Sequence, residues 1–166
     1  MSAGPFAAAY HLAKPTSDLA YLAPQFRAAV VAALAECNDP ANDLKAIVHE
    51  TYRSNELAVL YYSQGRTLIP PHDTVTNAKS NLYSWHGYGL AVDVIHASKG
   101  WDAGDAWFHN VADVFKRHGM KWGGDWHMRD LPHFQWGRCK PSPSDVARQL
   151  IATGGVQAVW TAVSAA

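Results

Sequence analysis

Apolar residues recur along this chain in two rhythms. Phe26, Val30, Ala33, Leu34 and Cys37 fall at spacings of three and four, which predicts a core-facing helix with Pro24 in its first turn. Ala46-Ile47-Val48, at the centre of residues 44–50, predicts a short strand that delivers Thr51-Tyr52-Arg53 to a sheet edge. Ser54 predicts the cap of a helix over residues 56–64, with Leu57, Leu60 and Tyr61 inward and Gly65 as its stop. Over residues 90–95 the period drops to two: Leu90, Val92 and Val94 share one strand face, and Ala91, Asp93 and Ile95 the other. Asp105 is expected to cap a helix with the stripe Phe108, Val111, Ala112 and Phe115, closed by Lys116, Arg117, His118 and then Gly119. Pro132 excludes a helix interior, so a strand is expected from His133, pairing His133 with Gln135 on one face and Phe134 with Trp136 on the other. Beyond a Pro141-Ser142-Pro143-Ser144 linker, residues 145–152 and 156–163 read as two short helices separated by Gly154-Gly155. Their stripe Val156, Val159, Trp160 and Val163 is expected to pack on the domain, because the polar face lacks the basic residues that an anionic surface attracts.

The chemistry sits in two short stretches, Ser84-Trp-His86-Gly-Tyr-Gly89-Leu-Ala91-Val-Asp93 and Asp130-Leu-Pro-His133-Phe-Gln-Trp136. Together they offer two imidazoles and two carboxylates. A fully extended chain from His86 to Asp93 would span roughly 23 Å, whereas the ligands of one zinc lie about 2.0–2.2 Å from it. The chain must therefore double back, and Gly87-Tyr88-Gly89 supplies the turn. We assign His86, Asp93 and His133 as ligands of a Zn2+ ion whose fourth position is open to water. Asp130, on the turn before the strand, is assigned as the general base that later protonates the leaving amine. The implied reaction is metal-assisted amide hydrolysis. Ser84 is assigned as a hydrogen-bond donor to the site or substrate, with helping the turn as its alternative role.

The motif Ser84-x-His86-x-x-Gly89-x-Ala91-x-Asp93, followed by Trp122-Gly-Gly-Asp-Trp126 and Asp130-x-Pro-His133-Phe134, closely resembles the zinc D-Ala-D-Ala carboxypeptidase and L-alanyl-D-glutamate peptidase family. The likeness is nearest to its endopeptidase branch, which includes phage endolysins. It also takes in Thr51-Tyr-Arg53-Ser54, Leu60-Tyr-x-x-Gln64-Gly-Arg66-Thr67 and Val75-Thr-Asn77-Ala78, and so runs over residues 19–136. The resemblance implies an α+β fold, a small antiparallel sheet flanked by helices of the zinc D,D-peptidase (hedgehog-like) kind. It implies zinc on the two histidines and the aspartate, Asp130 as base, and Arg53 as the residue that holds a substrate carbonyl or carboxylate. The expected substrate is the bacterial peptidoglycan stem peptide, cut between L-alanine and D-glutamate.

Composition narrows the remaining choices. At 166 residues and 48% hydrophobic, the chain suits one domain, with a catalytic unit over residues 1–140 and a helical extension over 141–166 packed on it. Fourteen basic and fourteen acidic side chains balance, so nucleic acid is not an expected partner, and a monomer without stable membrane association is expected. The first residues lack the basic start of an export signal, so synthesis in the cytoplasm and action on the wall after membrane permeabilisation are expected, as for an endolysin. Cys37 and Cys139 have no metal-like spacing and are expected to stay reduced. Of the nine histidines, His11, His49, His72, His96, His109 and His118 are given ordinary polar roles, while His127 has an outside claim on the site. The 66–83 region reads as either a wall of a substrate groove or a plain connector, with Gln64, Arg66 and Asn77 tying it down. Trp122 and Trp126 are expected in the core rather than stacked on substrate. The rivals are a D,D-carboxypeptidase or dipeptidase of the same family, a non-haem iron oxygenase, which would not need Asp130, and an inactive wall-binding module, which would not need it either.

Overall fold

A computed structural model describes residues 14–67 and 74–164. Its four α-helices are α1 (Pro24–Cys37), α2 (Asn55–Ser63), α3 (Asp105–Arg117) and α4 (Asp145–Ser164), and its strands are β1 (Ala46–Glu50), β2 (Ala91–His96), β3 (Met120–Trp122) and β4 (His133–Trp136). The strands form one sheet in the order β1-β2-β4-β3, with every neighbouring pair antiparallel. The expected α+β class, a small antiparallel sheet flanked by helices, is what the chain adopts.

One face of the sheet makes the core. Val92 and Val94 of β2 and Phe134 of β4 are fully buried, as are Phe26, Val30, Ala33 and Cys37 of α1 and Val111 and Phe115 of α3. Phe115 and Phe134 meet with ring centroids 4.4 Å apart, and Phe26 meets Trp136 at 5.9 Å, so both helices lie against that face. Burying a residue of this size is worth about 1.5–3 kcal/mol, which makes this layer the source of the sheet's rigidity. The alternate residues of the same strands face the other way and remain available for chemistry.

Three boundaries differ from expectation. β1 begins at Ala46 rather than Leu44, because Asp43 and Lys45 take positive φ (44° and 51°) in the preceding turn. There the Asn38 side chain brackets Ala46, donating to its carbonyl and accepting from its N–H at 2.8 and 2.7 Å. Asp105 does not cap α3: Gly104 (φ 90°) holds the cap position, and the Asp105 carboxylate accepts from Arg129 instead. Ser54 does cap α2, accepting from the Leu57 N–H at 3.2 Å, but the helix runs over Asn55–Ser63.

α4 is two helical pieces joined at Gly155, whose φ of 71° and ψ of −177° break the ladder where the glycine pair was expected to divide them. Val159 is buried, and the Trp160 indole donates to the Tyr88 carbonyl at 2.6 Å, so the second piece rests on the turn that carries His86. The positions expected for His11, His72 and Pro70-Pro71 lie outside the described residues.

Candidate active site

The turn before β2 is a single 3-10 stretch, Trp85–Tyr88, which Ser84 caps by accepting from the His86 N–H at 3.3 Å. Gly89 ends it in the left-handed region (φ 66°), where a Cβ would lie 2.3 Å from the Tyr21 carbonyl. Gly87 packs as closely, since a Cβ there would meet the Asn81 carbonyl at 2.0 Å. The glycines thus let the chain fold back on its neighbours and bring His86 over β2. Ser84 lines the cleft beside the site while making the capping bond, so the structure gives it the turn-supporting contact.

Asp93 and His133 are direct cross-strand partners in the β2-β4 register and therefore share a face. His86 Nε2 lies 3.2 Å from Asp93 Oδ1, and His133 Nδ1 lies 3.7 Å from the same oxygen. One donor atom from each of the three residues lies within 4.8 Å of the other two. Ligands about 2.1 Å from a tetrahedral metal stand about 3.4 Å apart, so the observed separations bracket those a zinc ion requires.

The tautomers point the same way. His86 Nδ1 is 2.9 Å from the Thr51 carbonyl and must donate to it, which leaves the lone pair of a neutral ring on Nε2, toward Asp93. Gln135 donates its amide N–H to the Lys140 carbonyl at 2.9 Å, so its Oε1 is the end that faces His133 Nε2, also at 2.9 Å. His133 therefore presents a lone pair from Nδ1. When both rings are neutral, they and the carboxylate aim electron pairs at one point, an arrangement that a cation stabilises and that repels itself without one. Burial alone would raise the Asp93 carboxyl, but the His86 and His133 rings outweigh it and hold the group well below the usual carboxylate range. Burial would lower His133, and Asp93, Asp130 and Gln135 together raise it above an ordinary histidine.

Asp130 stands on the rim of the same cleft. The residue as a whole is exposed, yet burial of its carboxyl and the charge of Asp93 raise its pKa, against the opposing pull of His133, His86 and Arg53. The backbone fixes its place: Asp130 N–H donates to the Gly123 carbonyl at 2.9 Å, and its own carbonyl accepts from His133 N–H at 3.3 Å. Raised in this way, the group suits proton transfer near neutral pH better than an ordinary aspartate.

Arg53 is buried beside the triad. Its Nε and Nη2 bond both oxygens of the buried Glu50 at 2.7 and 2.9 Å, Nη2 stands 3.9 Å from Asp93 Oδ2, and the guanidinium lies over the Tyr61 ring at 4.8 Å. Sequence reasoning identifies Arg53 and misses Glu50. A carboxylate three residues before an arginine is the available signal, but nothing in the pattern says that both are buried.

The cleft, about 590 Å³, is walled further by His49, Gln64, Val75, Thr76, Tyr83, Trp101 and Pro141–Pro143. The 66–83 region thus does contribute a wall, and Arg66 ties it down through the Tyr62 and Thr76 carbonyls and Asn77. The two tryptophans divide: Trp122 is buried in the core, whereas Trp126 lines the cleft with its ring 4.9 Å from that of His133. His49, given an ordinary role, is on the cleft wall against Trp101, and His127 is exposed and not among the lining residues.

Comparison with known proteins agrees with the motifs. Residues 77–136, which contain His86, Asp93, Asp130 and His133, match the family model described as D-alanyl-D-alanine carboxypeptidase. Over this segment the chain is similar to that peptidase family. The peptidoglycan L-alanyl-D-glutamate endopeptidase CwlK of Bacillus subtilis is 32% identical over 104 residues, which are 55% of this chain and 60% of the relative. The match thus spans about three fifths of that relative's length. Among solved structures, the Serratia marcescens L-Ala D-Glu endopeptidase ChiX superposes with a TM-score of 0.51 at 23% identity, over 71% of this chain and 82% of the other, which shows a shared fold. The family segment begins after Glu50 and Arg53, so those two residues enter the site from outside it.

Proposed function

We propose that this protein is a zinc-dependent peptidoglycan hydrolase that cleaves the L-alanyl-D-glutamate bond of the stem peptide. The observation that carries the reading is the convergence of His86, Asp93 and His133 lone pairs beside an Asp130 carboxyl of raised pKa, in one open cleft. His86 Nε2, His133 Nδ1 and Asp93 Oδ1 would hold the ion. Zinc bound there supplies Lewis acidity to the scissile carbonyl and to the attacking water.

The chain's own groups do the rest. Asp130 takes the proton of the attacking water as its oxygen joins the L-alanyl carbon, and returns a proton to the D-glutamyl nitrogen as the C–N bond breaks. Arg53, held by Glu50 through Nε and Nη2, steadies the substrate's oxygen. Ser84 lines the cleft, and its hydroxyl is the donor we assign to the bound peptide. Trp126 covers one side of His133 and limits water there. The products are a glycan still bearing L-alanine and a peptide with D-glutamate at its N-terminus.

CwlK and ChiX are both named as endopeptidases of the L-alanyl-D-glutamate bond, which favours the internal cut, while the description of the matching family model favours a second reading, removal of a terminal D-alanine. Mass spectrometry of purified muropeptides separates them: a new D-glutamyl amine is expected, and release of D-alanine alone overturns the internal cut. In the same assay Asp130→Asn is expected to keep zinc and fold and to lose about 10²–10⁴-fold in turnover; undiminished activity would remove Asp130 from the mechanism. We extend the reading to a monomeric, bacteriolytic enzyme of the phage endolysin type, made in the cytoplasm and acting once the membrane is opened. Among the described residues no helix is long and apolar enough to cross a membrane.

A further inference from the structure

The strand that leads into Arg53 reaches the metal-site residues three times. The Thr51 carbonyl fixes the His86 ring, the Arg53 N–H donates to the His86 carbonyl at 3.1 Å, and Glu50 is the register partner of Asp93. That last pairing depends on a bulge: Val48 pairs with Val94 and Glu50 with Asp93, so His49 is the extra residue. Without it His49 would stand opposite Asp93. The bulge turns Glu50 onto the face of Asp93 and His133, where its carboxylate is 2% exposed.

A buried carboxylate next to a carboxylate ligand is costly unless something offsets it. Arg53 offsets it, and the geometry is asymmetric. The guanidinium makes two short bonds to Glu50, at 2.7 and 2.9 Å, but stands 3.9 Å from Asp93 Oδ2, too far for a hydrogen bond. An arginine free of Glu50 has a second carboxylate within easy reach. Moving about 1 Å would give it Asp93, and a guanidinium bonded to both carboxylate oxygens competes directly with a divalent ion for them.

We propose that Glu50 is a positioning residue that holds Arg53 back from Asp93, so that the Asp93 carboxylate stays available to a divalent metal. It acts through Arg53 and touches neither metal nor substrate. The inference rests on the metal-site reading above and adds to it a residue outside the family segment.

Zinc affinity, measured on metal-free protein by competition with a chromophoric chelator, tests it without reference to turnover. E50Q is expected to bind zinc at least tenfold more weakly than wild type, because the neutral amide releases Arg53 onto Asp93. E50Q/R53Q, a neutral amide pair of similar shape, is expected to return to within about threefold of wild type while turnover stays low for want of Arg53. A merely structural role predicts instead that the double variant binds as weakly as the single one, and that result overturns the proposal, as does wild-type affinity in E50Q. If E50Q does not fold, E50D keeps the charge pair that holds Arg53; it must then bind zinc as wild type does, and a tenfold loss counts against us. Absence of zinc binding by the wild-type protein would remove the metal reading itself, whereas wild-type binding with indifferent variants would remove only the role of Glu50.

Discussion

Gly123 offers the most direct test of how tightly the base and the last histidine are packed together. A Cβ at this position would lie 2.5 Å from the Asp130 carbonyl oxygen, 3.1 Å from Asp130 Cβ and 3.1 Å from His133 Cβ. Its φ is not in the left-handed region, so G123A meets no backbone objection. On chain entropy alone the change would stabilise the protein by about 0.4–1 kcal/mol. Space decides the other way. Restoring ordinary contact requires the Asp130 carbonyl to retreat by about 0.9 Å, and that carbonyl also accepts the His133 N–H. Overpacking of this kind costs about 1–3 kcal/mol, so the net expectation is a loss of about 1–2 kcal/mol and a Tm lower by about 2–8 °C. The catalytic effect should be larger than the stability effect, because a displacement near 1 Å between groups that must cooperate can cost about 10²-fold in kcat. Turnover of purified peptidoglycan, followed by new amino termini and read beside a thermal melt, reports both. A variant with wild-type kcat and an unlowered Tm would refute the packing argument.

Two further outcomes follow from other buried groups. Q135L removes the Oε1 acceptor that fixes the His133 tautomer, and zinc affinity by chelator competition is expected to fall about 10–100-fold, with Q135E retaining most of it; equal affinity in Q135L would show that the tautomer is set elsewhere. Burial raises both Cys37 and Cys139 to about 12, so neither thiol should react with a disulfide reagent at pH 8 in the native protein, and two should appear on unfolding; rapid native labelling would contradict their burial.

The parts of this site that are legible in the sequence are those governed by local rules. Strand alternation places Asp93 away from Val92 and Val94, and His133 away from Phe134, since a two-residue period needs only the chain itself. The same rule puts Gln135 on the face of His133 but does not make it a partner, because that depends on the Lys140 carbonyl orienting the amide. Asp105 shows the limit of capping rules: it has the right side chain, but Gly104 reaches the φ of 90° that enters the helix there, and Arg129 claims the carboxylate. Asp43 and Lys45 show another, since neither residue type announces the positive φ that delays β1.

Glu50 is the most consequential residue to escape, and the cause is the bulge. Counting by two from Ile47 places His49 on the same face as Ile47 and Glu50 on the opposite one, so alternation alone does not bring Glu50 beside Asp93. One extra residue against β2 reverses that assignment from Glu50 onward. The reversal also moves the neighbouring backbone, so that the Thr51 carbonyl meets the His86 ring and the Arg53 N–H meets the His86 carbonyl. A bulge next to a site re-aims side chains in just this manner. A single irregularity in β1 thus carries the burial of the Glu50-Arg53 pair, the tautomer of His86 and the distance between Arg53 and Asp93, three features that no periodicity in the sequence encodes.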